Sequence, residues 1–443
     1  MKLTKIETNI KRKLYLHKSD NVSFSHKNNN LENNIVSVNP DIYFQDLIGF
    51  GGAFTESTCY SLNTVNKTLY NKILDEYFSK DGLNYNLCRL PIGSSDFSLN
   101  SYSYSYKKDL SDFSIKRDMK YIIPTIKEAQ KRNTDIEFLA SPWSPPSFMK
   151  STNNLYNGGK LLKQYYETWA NYLVKYIENY LSNNIKIKYI TIQNEPNASQ
   201  LWESCTYTAE EEANLLKNYL VPIFRKNKID MKFLIWDHNK DDILNRTIDT
   251  LVTNGALDYA SGIAFHWYTG SHFENLREIK KLFPNKLLIH TEGCTGYSNF
   301  KASDELFNAE MYASEIIGDL NNETNGFIDW NMVLEYNGGP NHKHNYCNSP
   351  IMINKKHDNY IKTPSFYYIG HFSKYIKPGA KRIHFSTFSD NIQITSFKNL
   401  DNSVIIILLN KNNFNIEYNL CYKNYTFHDN LDSHAIVTFI ISE

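Results

Sequence analysis

The chain has little cysteine, no excess of charge of either sign and no long hydrophobic run, and each shortage removes a class of function. Its six cysteines, Cys59, Cys88, Cys205, Cys294, Cys347 and Cys421, show no CxxC and no Cys/His spacing. That argues against a disulfide framework and against a zinc site, and it suits a reducing compartment. Lys and Arg number 48 against 47 Asp and Glu, a net charge of +1 over 443 residues. Nucleic-acid and anionic-membrane binders need a concentrated positive field that this balance does not supply. The longest apolar run, around Val404 to Leu409, is strand length, far short of the roughly 18 residues of a membrane span. No apolar stretch follows the positive residues of MKLTKIETNIKRKLYLHKSDN. No leader is therefore read, and the expected location is cytoplasmic, or lysosomal or secreted only if a leader has been removed.

What is present is an ordinary globular mix, 41% hydrophobic and 21% charged, with a high aromatic share of 14% that includes 32 Tyr and 25 Phe. Asparagine is also abundant, so sequons such as Asn66-Lys-Thr and Asn197-Ala-Ser arise by composition and carry little weight. From about residue 46 a short apolar run, a polar or Gly/Pro loop and a long amphipathic stretch recur. This alternation predicts β/α units around a parallel sheet. The strand segments fall at 47–54, 85–93, 136–143, 187–196, 233–239, 262–268, 287–293 and 327–334. Eight such strands close a barrel. Helices are expected over 114–132, with Ile115, Met119, Ile122 and Ile126 on one face, and over 161–181, with Leu162, Tyr165, Trp169, Leu173, Tyr176 and Tyr180. Others run from about Thr208 to Lys226, opening on a Thr208-Ala-Glu-Glu capping box, from about Ser303 to Leu320, and from Pro364 to Tyr375. The aromatic stripes on these helices read as core packing.

Residues 382–442 change character to short β-branched runs separated by Asn/Asp/Lys turns, and the first 45 residues (KLYLH, NVSFS, IVSV) share that texture. The expected architecture is an α/β (β/α)8 barrel over 46–375 with a side β-sandwich built from both ends, 1–45 plus 376–443. GFGGAF lacks a GxGxxG spacing and precedes no clear helix-opening pattern, so it is not read as a phosphate loop.

Chemistry in such barrels sits at the C-terminal strand ends. Those ends carry Arg89, Asp96, Trp143, Asn194-Glu195, Asp237-His238, His266-Trp267-Tyr268, Glu292 and Trp330-Asn331. Glu195 on strand four and Glu292 on strand seven are expected to face each other across the mouth. A lone strand-end Glu reads more readily as a solvated loop carboxylate or a helix cap, but two opposed ones amid aromatics suit glycosidic cleavage, in which one protonates the leaving oxygen and the other attacks the anomeric carbon. Their environments must then push their pKa values apart. Trp143, Trp202, Trp267, Tyr268 and Trp330 lie in or near these loops and can pack on the C–H faces of sugars.

The segments GFGGAFTES, LCRLPIGSSDFS, ASPWSPPSFMK, TIQNEPNA, HWY, HTEGC and DWNMVLEYNGGPNHKHN, in order from about Gly49 to Gly379, resemble the glucosylceramidase-like glycosidases of glycoside hydrolase family thirty. The resemblance implies a retaining β-glycosidase with a (β/α)8 barrel and side sandwich, acting on terminal β-D-glucosyl bonds without metal or organic cofactor. By that resemblance Glu195 is the acid/base, Glu292 the nucleophile and Asn194 the contact to the 2-hydroxyl. Arg89 and Tyr268 support the nucleophile and keep it ionised by charge and hydrogen bonding, Asp96 and Trp143 bind the glycone, and Trp330 and Asn345 line the site. Trp202 shapes the aglycone side, and His266 belongs to the supporting set. The loop NASQLWESCTYTAEEE looks closer to bacterial members than to the lysosomal lipid hydrolase. A β-1,6-glucanase, β-xylosidase or β-fucosidase is the alternative within the family, and a barrel that binds carbohydrate without cleaving it is the non-enzyme reading. The expected partner is a β-glycoside, a glucosyl lipid or an oligosaccharide, with no nucleic acid and no integral membrane contact. The oligomeric state stays open.

Overall fold

In the computed structural model, which describes residues 1–19, 22–26, 34–296 and 304–442, eight parallel strands close a barrel. They are Gly49–Ala53, Leu87–Ile92, Glu137–Pro142, Ile187–Thr191, Lys232–Asn239, Gly262–His266, Leu287–Glu292 and Gly326–Asn331. Each falls within or across one of the segments expected from the apolar runs. Asn21 at the head of NVSFS and Ser303 at one expected helix start lie outside the described residues.

The barrel is filled rather than open. Leu87, Leu139, Tyr189, Leu234, Ala264, Ile289 and Ile328 form one buried cluster inside it, each from a different strand. The first strand is glycine-rich because it is crowded: a Cβ on Gly51 would come within 1.7 Å of the Leu87 carbonyl oxygen. That close approach, not a phosphate, accounts for GFGG. A helix does follow this strand, however. Thr55 caps Glu56–Thr64 by accepting from the Thr58 amide, a start signal that the sequence reading missed.

The outer ring is built as the aromatic stripes suggest. Helix Tyr166–Ser182 buries Trp169, Leu173, Tyr176 and Tyr180 against the strands, each contributing roughly 1.5–3 kcal/mol of apolar transfer. The expected start at 161 is instead loop and a short 3-10 turn, Lys163–Tyr165. The helix beginning at Ala209 has both hydrogen bonds of the Thr208/Glu211 capping box. It widens to a π turn at Leu216–Leu220 before continuing as Val221–Lys226.

The helix expected over 114–132 is only Ile122–Gln130, and Met119 is exposed rather than packed. The physical reason is Asp118. It is drawn into the interior, where Tyr102, Tyr104 and Tyr180 donate to its carboxylate at 3.2, 2.6 and 2.7 Å, and this fixes 114–121 as turns. Burial pushes the Asp118 carboxyl up to about 6 against those three hydrogen bonds. Helices Lys67–Phe78 and Phe273–Leu282 are additional to the sequence expectation.

Strands from both chain ends form one ten-stranded, folded-over sheet, in which Lys2–Asn9 pairs antiparallel with Ala435–Ser442 and Ile35–Asp46 with Lys381–Thr387. Its two layers share one core, including Val36, Val38, Ile406, Leu408, Tyr418 and Phe439. The sandwich meets the barrel along helix Pro364–Ser373, where buried His371 bridges Thr438 and Thr8 at 2.7 and 2.9 Å. Among the described residues no helix is long and apolar enough to cross a membrane.

Candidate active site

Three β-bulges lie at the C-terminal strand ends and re-aim the side chains that meet there. Between Trp236 and His238 the register slips against Ala264 and Phe265, so Asp237 is the extra residue. Its φ of +58°, after +73° at Trp236, is a left-handed conformation uncommon outside glycine. Similar slips leave Thr291 and Trp330 unpaired in register. Bulges are frequent beside active sites because they turn a side chain off the alternating pattern. Glu195, just beyond strand four, also has a positive φ of +48°. It is held there by its amide donating to the Asp237 carbonyl at 2.9 Å and its carbonyl accepting from Ala198 at 2.9 Å.

Arg89, fully buried, organises the floor. Its guanidinium donates to Glu292 at 2.5 Å, Asp237 at 2.7 Å, Asn194 at 2.9 Å and the Ser141 hydroxyl at 3.1 Å. Asp237 also accepts from Thr191 at 2.7 Å and Thr291 at 2.6 Å. Burial works to raise its carboxyl, but Arg89 and His266 overcome this and hold it below the usual range. The other oxygen of Glu292 accepts from the Tyr268 hydroxyl at 3.0 Å. His266 lies between the carboxylates: Nε2 meets Asp237 at 3.1 Å and Nδ1 faces Glu195 at 3.5 Å. One oxygen of Glu195, one of Glu292 and one ring nitrogen of His266 lie within 4.8 Å of one another.

The electrostatics differ from the sequence expectation in one respect. Burial disfavours charge on His266, yet Glu292, Asp237 and Glu195 outweigh it and hold the imidazole up to about 9. Burial likewise works to raise Glu195, but His266, His238 and Gln200 bring it down to about 2. At Glu292 burial wins over His266 and Arg89, and the carboxyl is raised, where Arg89 and Tyr268 are expected to keep it ionised. These directions favour a proton on His266 facing an ionised Glu195.

Above the floor is a cavity of about 130 Å³ lined by both glutamates, Asp96, Trp143, Trp330 and Asn345, among others. Trp143 and Trp330 stack with centroids 5.0 Å apart at 13°, and Arg89 lies 4.8 Å from the Trp143 ring centre. Asp96 lines the cavity, accepting from Asn345 at 3.1 Å and Asn341 at 3.5 Å. Burial, with Glu292 adding to it, pushes Asp96 up to about 8, so near neutrality it carries a proton to donate. Trp202 and Gln200 form the side nearest Glu195, where Gln200 donates at 3.2 Å.

The structure thus brings Glu195, Glu292, Asp96, Trp143, Asn194, Trp202, Tyr268, Trp330 and Asn345 to the cavity, with Arg89 and His266 beneath it. Trp267 is a correction: it points away, packing on Tyr312, His290 and Phe327 at 4.7, 5.3 and 6.1 Å. In HWY the strand-end alternation sends His266 and Tyr268 one way and Trp267 the other. Asn341, Gln200 and Phe97 were missed, and so was Asp237 as the anchor of Arg89. The sequence carried a signal only for Asp237, at its strand end, and for Asn341, inside GGPN.

A larger cavity of about 820 Å³ lies at the opposite end of the barrel, among Lys186, Lys188, Lys232 and Glu137. Its lining mixes those lysines with Asp135, Glu137, Glu178 and Asp230.

Comparisons with known proteins bear on this arrangement. Residues 47–376 match the Glycosyl hydrolase family 30 TIM-barrel domain and residues 379–439 the Glycosyl hydrolase family 30 beta sandwich domain. The chain is 36% identical over 415 residues to Putative glucosylceramidase 3 of Caenorhabditis elegans, covering 89% of this chain and 76% of that one. Among solved structures, SrfJ from Salmonella typhimurium superposes with a TM-score of 0.97 at 32% identity over the full length of both chains. The endo-beta1,6-glucanase BT3312 superposes with 0.92 at 28%, over 100% of this chain and 99% of that one.

Proposed function

The chain belongs to glycosyl hydrolase family 30, and from that premise we propose that this glycoside hydrolase removes terminal β-D-glucosyl residues with retention, by double displacement. The observation that carries the reading is the short separation of the two carboxyl groups, whose nearer oxygens fall within 4.8 Å. Retaining glycosidases hold the pair about 5 Å apart, whereas inverting ones need about 6.5–9.5 Å to seat a water.

In this mechanism Glu292 attacks the anomeric carbon. Arg89 and Tyr268, bound to its two oxygens, aim the carboxylate and offset its charge once the sugar fills the cavity. Glu195 delivers a proton to the leaving oxygen. With Nε2–H of His266 bound to Asp237, the Nδ1 proton faces Glu195, so His266 stores the proton that Glu195 passes on. Glu195 then takes a proton from water, which cleaves the glycosyl ester. Asn194 is held by Arg89 at 2.9 Å, within the cavity lining, where it can meet the 2-hydroxyl.

The small cavity, about 130 Å³ among Asp96, Asn345 and the Trp143/Trp330 stack, supports a single terminal sugar rather than a continuing chain. The test is hydrolysis of an aryl β-glucoside with the product anomer followed by NMR. First-formed β-glucose and loss of turnover in Glu292→Gln support the reading. α-Glucose as first product, or near-normal activity in Glu292→Gln, overturns it. The likeness to an endo-beta1,6-glucanase favours a second reading, cleavage within β-1,6-glucan, and product sizes from a gentio-oligosaccharide series separate the two.

A further inference from the structure

Behind Glu292, on the outer face of its strand, lies a buried chain of charges that the reaction above does not use. Lys240 follows strand five, while Glu315 and Asp319 project from helix Glu305–Asn321. The Lys240 ammonium meets Glu315 at 2.6 Å and Asp319 at 2.9 Å. The other Asp319 oxygen lies 2.6 Å from Nδ1 of His290, and His290 Nε2 lies 2.9 Å from the backbone carbonyl oxygen of Glu292. Lys240 and His290 are fully buried and Asp319 is 1% exposed. The rest of the surroundings is aromatic, with Phe327, Phe265 and Trp267 at 4.5, 5.2 and 5.3 Å from the imidazole and Phe273 4.5 Å from the ammonium. Ser271 donates to the remaining Glu315 oxygen at 2.6 Å.

The contacts of this chain favour one proton inventory. A carbonyl oxygen only accepts, so Nε2 carries hydrogen. An ionised Asp also only accepts, and Asp319 is kept ionised by Lys240 on its other oxygen, so Nδ1 carries hydrogen too. A neutral ring would set a bare nitrogen against an acceptor on one side, in a place where an unmade hydrogen bond is expensive. Charge closes the same way, with two cations, Lys240 and His290, against two anions, Glu315 and Asp319, and no net charge left in the interior. Burial, with Lys240 adding to it, pulls the ring below its ordinary value against Asp319 and Glu315, so it is the two acceptors, at 2.6 and 2.9 Å, and not the burial that call for both ring protons.

We propose that His290 is a positioning residue: held as an imidazolium by the Lys240–Glu315–Asp319 network, it clamps the Glu292 carbonyl and so aims the Glu292 side chain at the anomeric carbon. The inference rests on the nucleophile role given to Glu292. Thr291 is tied inward to Asp237 at 2.6 Å, so His290 supplies the opposing outward tie, and the last turn of the strand is fixed from both sides. Small misplacements of an attacking group cost up to about 100-fold in rate, which is the scale on which such a clamp acts.

The decisive measurement needs no substrate. In histidine-labelled full-length protein, with the His290 signal assigned by its loss in His290→Gln, both ring nitrogens are expected to stay protonated from pH 6 to 8. A ring with one bare nitrogen in that range overturns the proposal. In kinetics, His290→Leu should lower kcat about tenfold or more with KM within about twofold, and His290→Gln, whose amide can still donate to the carbonyl, should recover part of the loss. A folded His290→Leu with unchanged kcat also overturns it. Because ring protonation is read without substrate, it stands even if Glu292→Gln shows that the glycosidase assignment fails.

Discussion

Removing the Arg89 cation isolates what its hydrogen bonds do. In Arg89→Met the stem and much of the volume remain, but Asp237 and Glu292 lose the only guanidinium between them, at contacts of 2.7 and 2.5 Å and with Arg89 and Asp237 both fully buried. Breaking a buried pair by deleting one partner costs about 3–5 kcal/mol, because the surviving charge is stranded. Asp237 keeps Thr191, Thr291 and His266 as partners, which places the expectation toward the lower end. At the usual unfolding entropy per residue, a chain of this length loses roughly 1 °C of Tm per kcal/mol, so a fall of about 3 °C is expected by scanning calorimetry at pH 7. If the loss is a stranded charge, Asp237→Asn added to Arg89→Met must restore part of it, and the double variant should be more stable than the sum of the single effects by about 1–3 kcal/mol. Strict additivity, within about 0.5 kcal/mol, would refute the stranded-charge argument and leave only lost packing.

The remaining predictions are independent of that cycle. Trp330→Ala removes one half of the Trp143 stack. It should lower kcat/KM for an aryl β-glucoside by about two- to tenfold, since an aromatic pair contributes about 0.5–1.5 kcal/mol beyond its burial and the sugar loses its platform. Asn341→Ala frees both the Asn345 backbone, held at 3.0 and 3.2 Å, and one tie to Asp96. KM should rise about tenfold with a smaller change in kcat, measured by initial rates. His266 is raised from 6.5 to about 9, so its contribution to stability is complete below pH 6.5 and is lost as the pH climbs through 9. Asp96, raised from 3.8 to about 8, changes in the same direction over pH 4 to 8. Tm should therefore decline from pH 6.5 to 9, and His266→Gln should flatten that decline. Glu195, lowered from 4.5 to about 2, acts oppositely, and its contribution is lost as the pH falls through that range.

Much of this protein was legible in the sequence because the relevant signals are local. A barrel strand buried on both faces must be a short apolar run, and a helix lying on it must carry an apolar stripe, so periodicity reports both without knowledge of the neighbours. Glu195, Glu292 and Asn194 stand at or just past strand ends, with Arg89 inside its strand, and in a parallel barrel all such ends share one face. Their convergence follows from topology alone. The shared texture of short β-branched runs also marked the two termini as one β unit.

What only the tertiary structure decided depends on partners distant in sequence. Asp118 ends a helix pattern because three tyrosines, from the 101–106 loop and from helix Tyr166–Ser182, claim its carboxylate. Asp237, Thr291 and Trp330 face where they do because bulges displace them from strict alternation, and a bulge is set by the adjoining strands. Trp267 looked like a sugar platform by composition but sits behind the strand, where Gly293 leaves room for its ring: a Cβ there would come within 2.7 Å. The balance of protons among Glu195, His266, Glu292 and Asp237 is likewise a property of distances and burial. Sequence chose the chemical groups and the face of the barrel on which they meet, whereas the folded interior set which of them holds the proton, since only there do their charges act on one another out of water.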